Sequence, residues 1–447
     1  MSITILYTII VTGLVGVVVI LHVISILRHI DKTVSVASPS GTHFPSFNIV
    51  FVIPLLREKE KWPETGEFFK HQLEKYPQAQ LLLITTERER IESKVHADQN
   101  TQMLIRNWVE RQDRCFRERI YHTHFPSLNK NLAEQLNYGL SQLMSKWDEK
   151  RMNETFFAFY NADSQPGVAI LDVFFKNHAK VNGLVYQQSS IFLANYEKLV
   201  KDNHFFGLAN GIFQTLWTFT NEIPRLLASV RYPSWRLAHV VSHGLFIRAD
   251  ILTKVGLFPT DSPGEDLYLG FILRSFGISI HPLPYLEWSD TPSNFVSTMR
   301  QKYVWFWGPL GYFFYWKRVS VQFPKIFNNN LLGVMSMTLQ GIFSALNWLL
   351  VSYLFMSLIV GSVNTHLWIG GIAFLAYCWI PSTILIWKIN KHFPSRLKIT
   401  ISLIIAQVLF LPLVLITHSI PALLTLLNDL RFRIIGWKSF VRPKTEI

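Results

Sequence analysis

The feature that most restricts this chain is the uncharged sequence at its two ends. Residues 3–27, ITILYTIIVTGLVGVVVILHVISIL, hold no formal charge, and three more uncharged runs cover 331–360, 367–387 and 399–427. Each matches or exceeds the ~20 apolar residues a helix needs to cross hydrocarbon. In that medium only helices and closed barrels satisfy their own backbone N–H and C=O groups. The chain is therefore expected to be held by helices at both ends, with a polar middle folding in water. Composition agrees, since 49% of residues are hydrophobic and 16% charged, against roughly one quarter charged in an average soluble protein. The net charge of +13 suits Lys and Arg facing an anionic leaflet. No RNP-like, helix-turn-helix or zinc-finger pattern accompanies it, so no nucleic-acid partner is expected. Cys115 and Cys378 lie far apart and offer neither a disulfide framework nor a zinc site.

The first run lacks a positive leader and a small-residue cleavage site, so it reads as an anchor over 1–27. Arg28 and Lys32 follow it directly, which places the N-terminus outside and the next domain in the cytoplasm. A linker rich in Ser, Thr, Pro and Gly ends at residue 46, and 47–300 has globular composition. Tyr303–Trp316 is strongly aromatic with Arg300, Lys302, Lys317 and Arg318 beside it, a pattern of membrane–water interfaces, and sets an interfacial region at 301–330. The segment KINKHFPSRLK after 387 is basic and so cytoplasmic. Pro412 and Pro421 break the run 399–427. A single crossing there would leave the basic tail, 428–447, outside, whereas a re-entrant path returns it to the cytoplasm. The expected location is the cytoplasmic (inner) or plasma membrane.

Within 47–300, Phe47–Leu56, Gln80–Thr85, Phe156–Tyr160 and Leu184–Gln187 read as buried strands. Helices are expected around Glu64–Tyr76, Asn129–Leu143 and Ala169–Ala179, and mostly polar helices over Arg88–Arg119. Strands alternating with helices imply a mainly parallel, Rossmann-like α/β sheet, whose ligands bind beyond the carboxyl ends of the strands. Pro54, Glu87 and Asp163 fall just past such ends. Asp163, ahead of a Ser-Gln-Pro-Gly turn, suits a hard divalent cation bridging a diphosphate, although Asn-Ala-Asp also serves as plain turn chemistry. Glu265 and Asp266 open an apolar helix, where carboxylates meet the positive end of the helix dipole. That placement serves a catalytic base or simply a cap. Lys130 stands near a helix start, facing either a phosphate or solvent.

Taken in order, these pieces resemble the cytoplasmic catalytic domain of membrane-bound family-two glycosyltransferases, the group of hyaluronan synthases, cellulose synthases and ceramide glucosyltransferases. The resemblance covers roughly residues 47–318. Phe51-Val-Ile-Pro54 with Arg57-Glu58 looks like the first strand and its end. Lys130 with Leu136-Asn137 is similar to the K…LN helix, and Asn161-Ala162-Asp163 stands where the family has its DxD metal motif. Gly244–Arg248 and Val255–Pro259 resemble the acceptor-side segment. Gly264-Glu265-Asp266 resembles the ED motif, and Gln301-Lys-Tyr-Val-Trp305 the Q-x-x-R-W motif. Ile435-Gly-Trp437 with Lys438 is similar to a basic tail of ceramide-glucosyltransferase-like members.

The resemblance implies a GT-A-like fold between membrane helices. It implies inverting sugar transfer from a nucleotide sugar, UDP-linked for preference, to a membrane lipid, a lipid-linked glycan or a growing polysaccharide. Asp266 would be the base and Glu265 its support. Pro54, Glu58, Glu87, Lys130 and Asp163 would bind the nucleotide sugar, with Mg²⁺ or Mn²⁺ on Asp163. His243, Gln301 and Trp305 would meet the acceptor. Three departures stand out: Thr85-Thr86-Glu87 in place of a nucleobase-reading aspartate, Asn161 for the first Asp of DxD, and Val304 for the Arg of Q-x-x-R-W. Val304 argues against processive synthesis. Asn161 and Glu87 leave open a non-catalytic nucleotide-sugar-binding protein. A transporter is disfavoured by the large globular insertion and the absence of charge within the spanning runs.

Overall fold

The computed structural model describes residues 3–34, 47–89, 100–128, 131–262, 264–360 and 365–435. The polar middle folds around a seven-stranded sheet. Its strands are β1 (Asn48–Pro54), β2 (Ala79–Thr86), β3 (Ile120–Phe125), β4 (Thr155–Phe159), β5 (Val185–Ile191), β6 (Leu245–Arg248) and β7 (Ile280–Trp288). Their order across the sheet is β3-β2-β1-β4-β6-β5-β7, with β6 antiparallel to both neighbours and every other pair parallel. The carboxyl ends of six strands and the start of β6 therefore share one edge. β1, β2, β4 and β5 fall where the sequence pattern places them. β3, β6 and β7 were not anticipated as strands; β3 (IYHTHF) and β7 (IHPLPYLEW) are too polar or proline-rich to read as buried runs.

The period-two alternation of β1 divides the core. Val50 and Val52 face one side, with Leu82, Phe157 and Phe159. Ile49, Phe51 and Ile53 face the other, with Leu81, Leu83 and Phe156. The helices that position the site are α1 (Ile3–Val34), α2 (Trp62–Lys75), α3 (Leu132–Met144), α4 (Ile170–Val181), α5 (Phe205–Trp217), α6 (Ile223–Arg231), α7 (Glu265–Ser275), α8 (Phe295–Leu310), α9 (Leu331–Val360) and α10 (Thr365–His392). Leu136 and Leu140 of α3 and Leu269 and Leu273 of α7 cover the first face. Phe69 and Leu73 of α2 and Phe174 of α4 cover the second. Each such buried side chain contributes about 1.5–3 kcal/mol.

A third apolar cluster joins the sheet domain to the end helices. Leu208 and Ile212 of α5 pack with Ile26 and Ile30 of α1, Phe374 and Cys378 of α10, and Leu411 and Val414. Among the described residues, three helical runs are long and apolar enough to cross a membrane: Gly13–Thr33, Gly371–His392 and Ile401–Asn428. The ends of α1 and α10 meet: Asp31 accepts from Lys388 at 2.8 Å and pairs with His392 at 2.9 Å. The run after residue 400 is broken by a wider, π-type turn at Ala406–Phe410 and by a turn at His418. Both of its ends touch the sheet domain or its neighbouring helix. Tyr196 OH bonds the Lys398 carbonyl and lies 3.2 Å from Thr400 Oγ1, while Asn428 donates to Tyr303 OH of α8 at 2.7 Å. The tail motif beyond Ile435 lies outside the described residues.

Candidate functional site

Asp163 sits in the loop that leaves β4, on the shared edge. Three contacts fix that loop: Thr65 Oγ1 bonds the Ala162 carbonyl, Asn161 N–H donates to Ser164 Oγ, and Gln165 pairs with Trp288 through both backbone groups. The last contact brings the end of β7 beside the Asp163 loop, and with it Asp290. Burial, then the charges of Glu58 and Asp290, push the Asp163 carboxyl up to about 6. Lys61 binds Asp290 at 2.6 Å. A cavity of about 420 Å³ opens here, with Lys61, Thr65, Asp163, Trp288 and Arg396 among its walls. Arg396 follows α10, donates to Gln165 Oε1 at 2.9 Å and lies over the Trp288 ring. The loop joining two apolar helical runs is thus folded against the sheet edge.

Behind Asp163 lies a buried polar cluster. His243 Nδ1 is 3.1 Å from Glu287 Oε1, and Glu287 is fully buried. Ser289 donates to the same Oε1, while among the described residues Glu287 Oε2 has no hydrogen-bond partner. Burial alone would lower the His243 pKa; the charge and hydrogen bond of Glu287, aided by Glu222 and Asp163, outweigh it and raise the imidazole to about 9. Glu222, taking a bond from Ser189 Oγ at 2.6 Å, is raised by burial to about 7. Gly244 follows His243 with φ +68°, and a Cβ there would lie 2.5 Å from the Gln188 carbonyl and 3.2 Å from Glu287. Only glycine fits this turn without displacing the cluster.

The edge continues past β1 and β2. Pro54 ends β1, and Glu58 N–H donates to Thr101 Oγ1. Glu89 holds this region, accepting from Arg57 N–H and from Thr101. Glu87 Oε2 lies 3.1 Å from His124 Nε2, whose Nδ1 meets Thr85 Oγ1 at 3.0 Å. The carboxylate past β2 is therefore held in place by a histidine on β3. Lys130 lies outside the described residues. Asn137 of the LN pair bonds both backbone groups of Phe258, at 2.7 and 3.0 Å, and so fastens the loop leading to the acidic pair.

Glu265 and Asp266 begin α7, with Glu265 buried and Asp266 half-buried. They do not line the Asp163 cavity. The charge of Asp266 acts on Tyr312 and Tyr315, whose hydroxyls burial already pushes well up. Gly264 and Gly308 make the contact between the start of α7 and α8: a Cβ on Gly264 would lie 3.0 Å from Gly308 Cα, and one on Gly308 2.7 Å from Leu267. Gln301 of α8 accepts from Gln214 of α5 at 3.0 Å and is buried. Trp305 is 44% exposed, with Lys302 Nζ 3.8 Å from its ring centre. Neither lines the Asp163 cavity.

Sequence reasoning missed Lys61, Glu222, Glu287, Asp290 and Arg396. Glu287 and Asp290 carried the signal used for Asp163, a carboxylate at a strand end, but β7 itself was not recognised. Among the described residues no three His, Cys, Asp or Glu side chains converge as a ready-made metal site. The oxygen donors at Asp163 nevertheless suit a hard cation completed by phosphate oxygens, since Mg²⁺ is commonly held by one or two carboxylates plus substrate.

Residues 210–427, just under half of the chain, match the family described as glycosyl transferase family group 2. No curated protein matches the sequence. Among solved structures, the mannosyltransferase PcManGT of Pyrobaculum calidifontis, in complex with GDP-Man and Mn²⁺, is similar over 92% of this chain and 99% of its own, at 12% identity and TM-score 0.46. Residues 1–349 of S. aureus TarS are similar over 83% of this chain and 91% of theirs, at 9% identity and TM-score 0.38. The same fragment in complex with UDP-GlcNAc aligns at 11% identity and TM-score 0.38, over 83% of this chain and 92% of its own.

Proposed function

From the premise that this chain carries a family-two glycosyltransferase region, we propose that it moves a sugar from a nucleotide sugar to an acceptor held at the membrane, with inversion at the anomeric carbon. UDP is the favoured nucleotide. The observation that carries this reading is the edge of the sheet, where the charges of Glu58 and Asp290 act on Asp163 and Asp163 lines a cavity walled in part by Lys61 and Arg396. Carboxylates together with nearby cationic side chains suit a diphosphate and its counter-ion.

In this reading Lys61 and Arg396 bind diphosphate oxygens, and Glu87, held by His124, reads the nucleobase. Asp163, with phosphate oxygens, would hold Mg²⁺ or Mn²⁺; when bound, the cation offsets negative charge on the departing diphosphate. The acceptor hydroxyl oxygen attacks the anomeric carbon, the bond from that carbon to the diphosphate oxygen breaks, and Asp266 takes the hydroxyl proton. Glu265 supports Asp266. His243, Gln301 and Trp305 belong to the acceptor side, and Val304 leaves no guanidinium where processive synthases carry one. We therefore favour single addition to a lipid or lipid-linked acceptor.

Domain and tail lie in the cytoplasm. The paired ends of α1 and α10 support this placement, as do the contacts at both ends of Ile401–Asn428, which favour a re-entrant path. The test is a nucleotide-sugar panel assayed for nucleotide release and lipid product with the full-length protein in membranes. Asp266→Asn should bind nucleotide normally and transfer about 10²–10⁴-fold more slowly. Transfer at the wild-type rate removes Asp266 as the base, and activity persisting in EDTA removes the cation. Binding without turnover across the whole panel would instead support the non-catalytic reading that Asn161 favours.

A further inference from the structure

A second cavity, about 410 Å³, lies between Thr220–Asn221, α6 and α9, and Arg225, Arg236, Gln340 and Phe343 are among its walls. That volume falls within the ~300–1,000 Å³ of small-molecule sites. Arg225 is the decisive residue. Its guanidinium lies 2.6 Å from His239 Nε2 and donates to Ser344 Oγ at 3.0 Å. Neither partner supplies negative charge, because burial and then the Arg225 charge hold His239 down to about 3, in its neutral form. Among the described residues, no ion pair involves Arg225 or Arg236. A largely desolvated cation without a counter-charge is costly, and a planar guanidinium is matched to phosphate oxygens through parallel N–H bonds.

The opposite wall has different chemistry. Phe343 of that wall is 63% exposed, and Leu339 and Leu346, on the same helix beyond the lining, are 53% and 49% exposed. These three positions share one face of α9. Helix α9, Leu331–Val360, carries no charged residue, and in a bilayer such a face would meet acyl chains. We infer that this cavity binds the phosphate head of a membrane lipid, with Arg225 and Arg236 on the phosphate and the lipid chain along Leu339, Phe343 and Leu346. The inference stands apart from the sugar-transfer reading, since its ligand is recognised by charge and apolar surface alone.

The full-length protein in phosphatidylcholine nanodiscs doped with phosphatidic acid provides the test, with retained lipid read by native mass spectrometry. Wild type should keep phosphatidic acid in preference to phosphatidylcholine. Arg236→Gln, at an exposed position where folding is tolerant, and Arg225→Gln should each weaken that retention about tenfold, the loss of one charge-assisted contact. Excess inorganic phosphate should leave it unchanged. Equal retention by wild type and Arg236→Gln overturns the site. So does equal retention of the two lipids. Displacement by inorganic phosphate makes a soluble anion the ligand and overturns the lipid.

Discussion

His243 shows how a single residue is set by its surroundings. Its raised pKa, about 9, means that the imidazolium is the folded-state form at neutral pH. A group whose folded pKa exceeds its unfolded value stabilises fully below the unfolded value, near 6.5, and loses that contribution as pH rises through the folded value. The melting temperature is therefore expected to fall between pH 7 and pH 10 through this group. Glu287→Gln should flatten that alkaline limb, because the facing carboxylate is the main source of the shift. A limb unchanged in Glu287→Gln would place the titrating group elsewhere. Asp163 works in the opposite direction for activity: with its carboxyl at about 6, the ionised form that binds a cation is lost as pH falls through 6. Turnover at a fixed subsaturating metal concentration is expected to decline there and to be restored by excess metal, and Asp163→Asn should abolish the metal response at every pH.

Between elements, α7 and α8 meet through glycine. Gly308 accepts Leu267 so closely that a Cβ would sit 2.7 Å from its Cδ2, and Leu267 is the residue after the proposed base. Gly308→Val should therefore shift the start of α7. The expected result is a loss of transfer with nucleotide binding retained, read by isothermal titration against product formation. If transfer survives, the position of Asp266 does not depend on α8. Asn137 exerts the same kind of control from the other side. Its two bonds to Phe258 hold the preceding loop, in which Gly256 and Leu257 both have positive φ. Asn137→Ala should cost about 1–2 kcal/mol by leaving those backbone groups unpaired, measurable as a lowered midpoint in thermal or denaturant unfolding.

At the scale of the whole molecule, the sheet domain and the apolar helices share one core through α5. Residues 205–217 contain no charge, yet they form no membrane span; they lie between α1, α10 and the run after residue 400. Cys115 is exposed on the sheet domain, and Cys378 is buried. Cytoplasmic placement predicts that a membrane-impermeant maleimide leaves Cys115 unlabelled in intact cells and labels it after permeabilisation. Labelling in intact cells would invert the topology. The cavity at Asp163 depends on this arrangement as well, since Phe393 and Arg396 reach it from the end of α10.

The amino-acid sequence alone determined the layout: apolar helices at both ends, an alternating strand and helix pattern between them, and Asp163 and Glu87 past strand ends. Those features are local, because uncharged length, period-two burial and turn chemistry are written in neighbouring residues. The partners of Asp163 were not legible. Asp290, Lys61 and Arg396 come from segments far apart in the chain, and they meet only because six strands end on one edge and a basic loop folds back on it. β3 and β7 were missed for a related reason: their polar and proline-containing stretches become strands through pairing with neighbours, a stabilisation that no local window contains, while β6, Leu-Phe-Ile-Arg, is only four residues long.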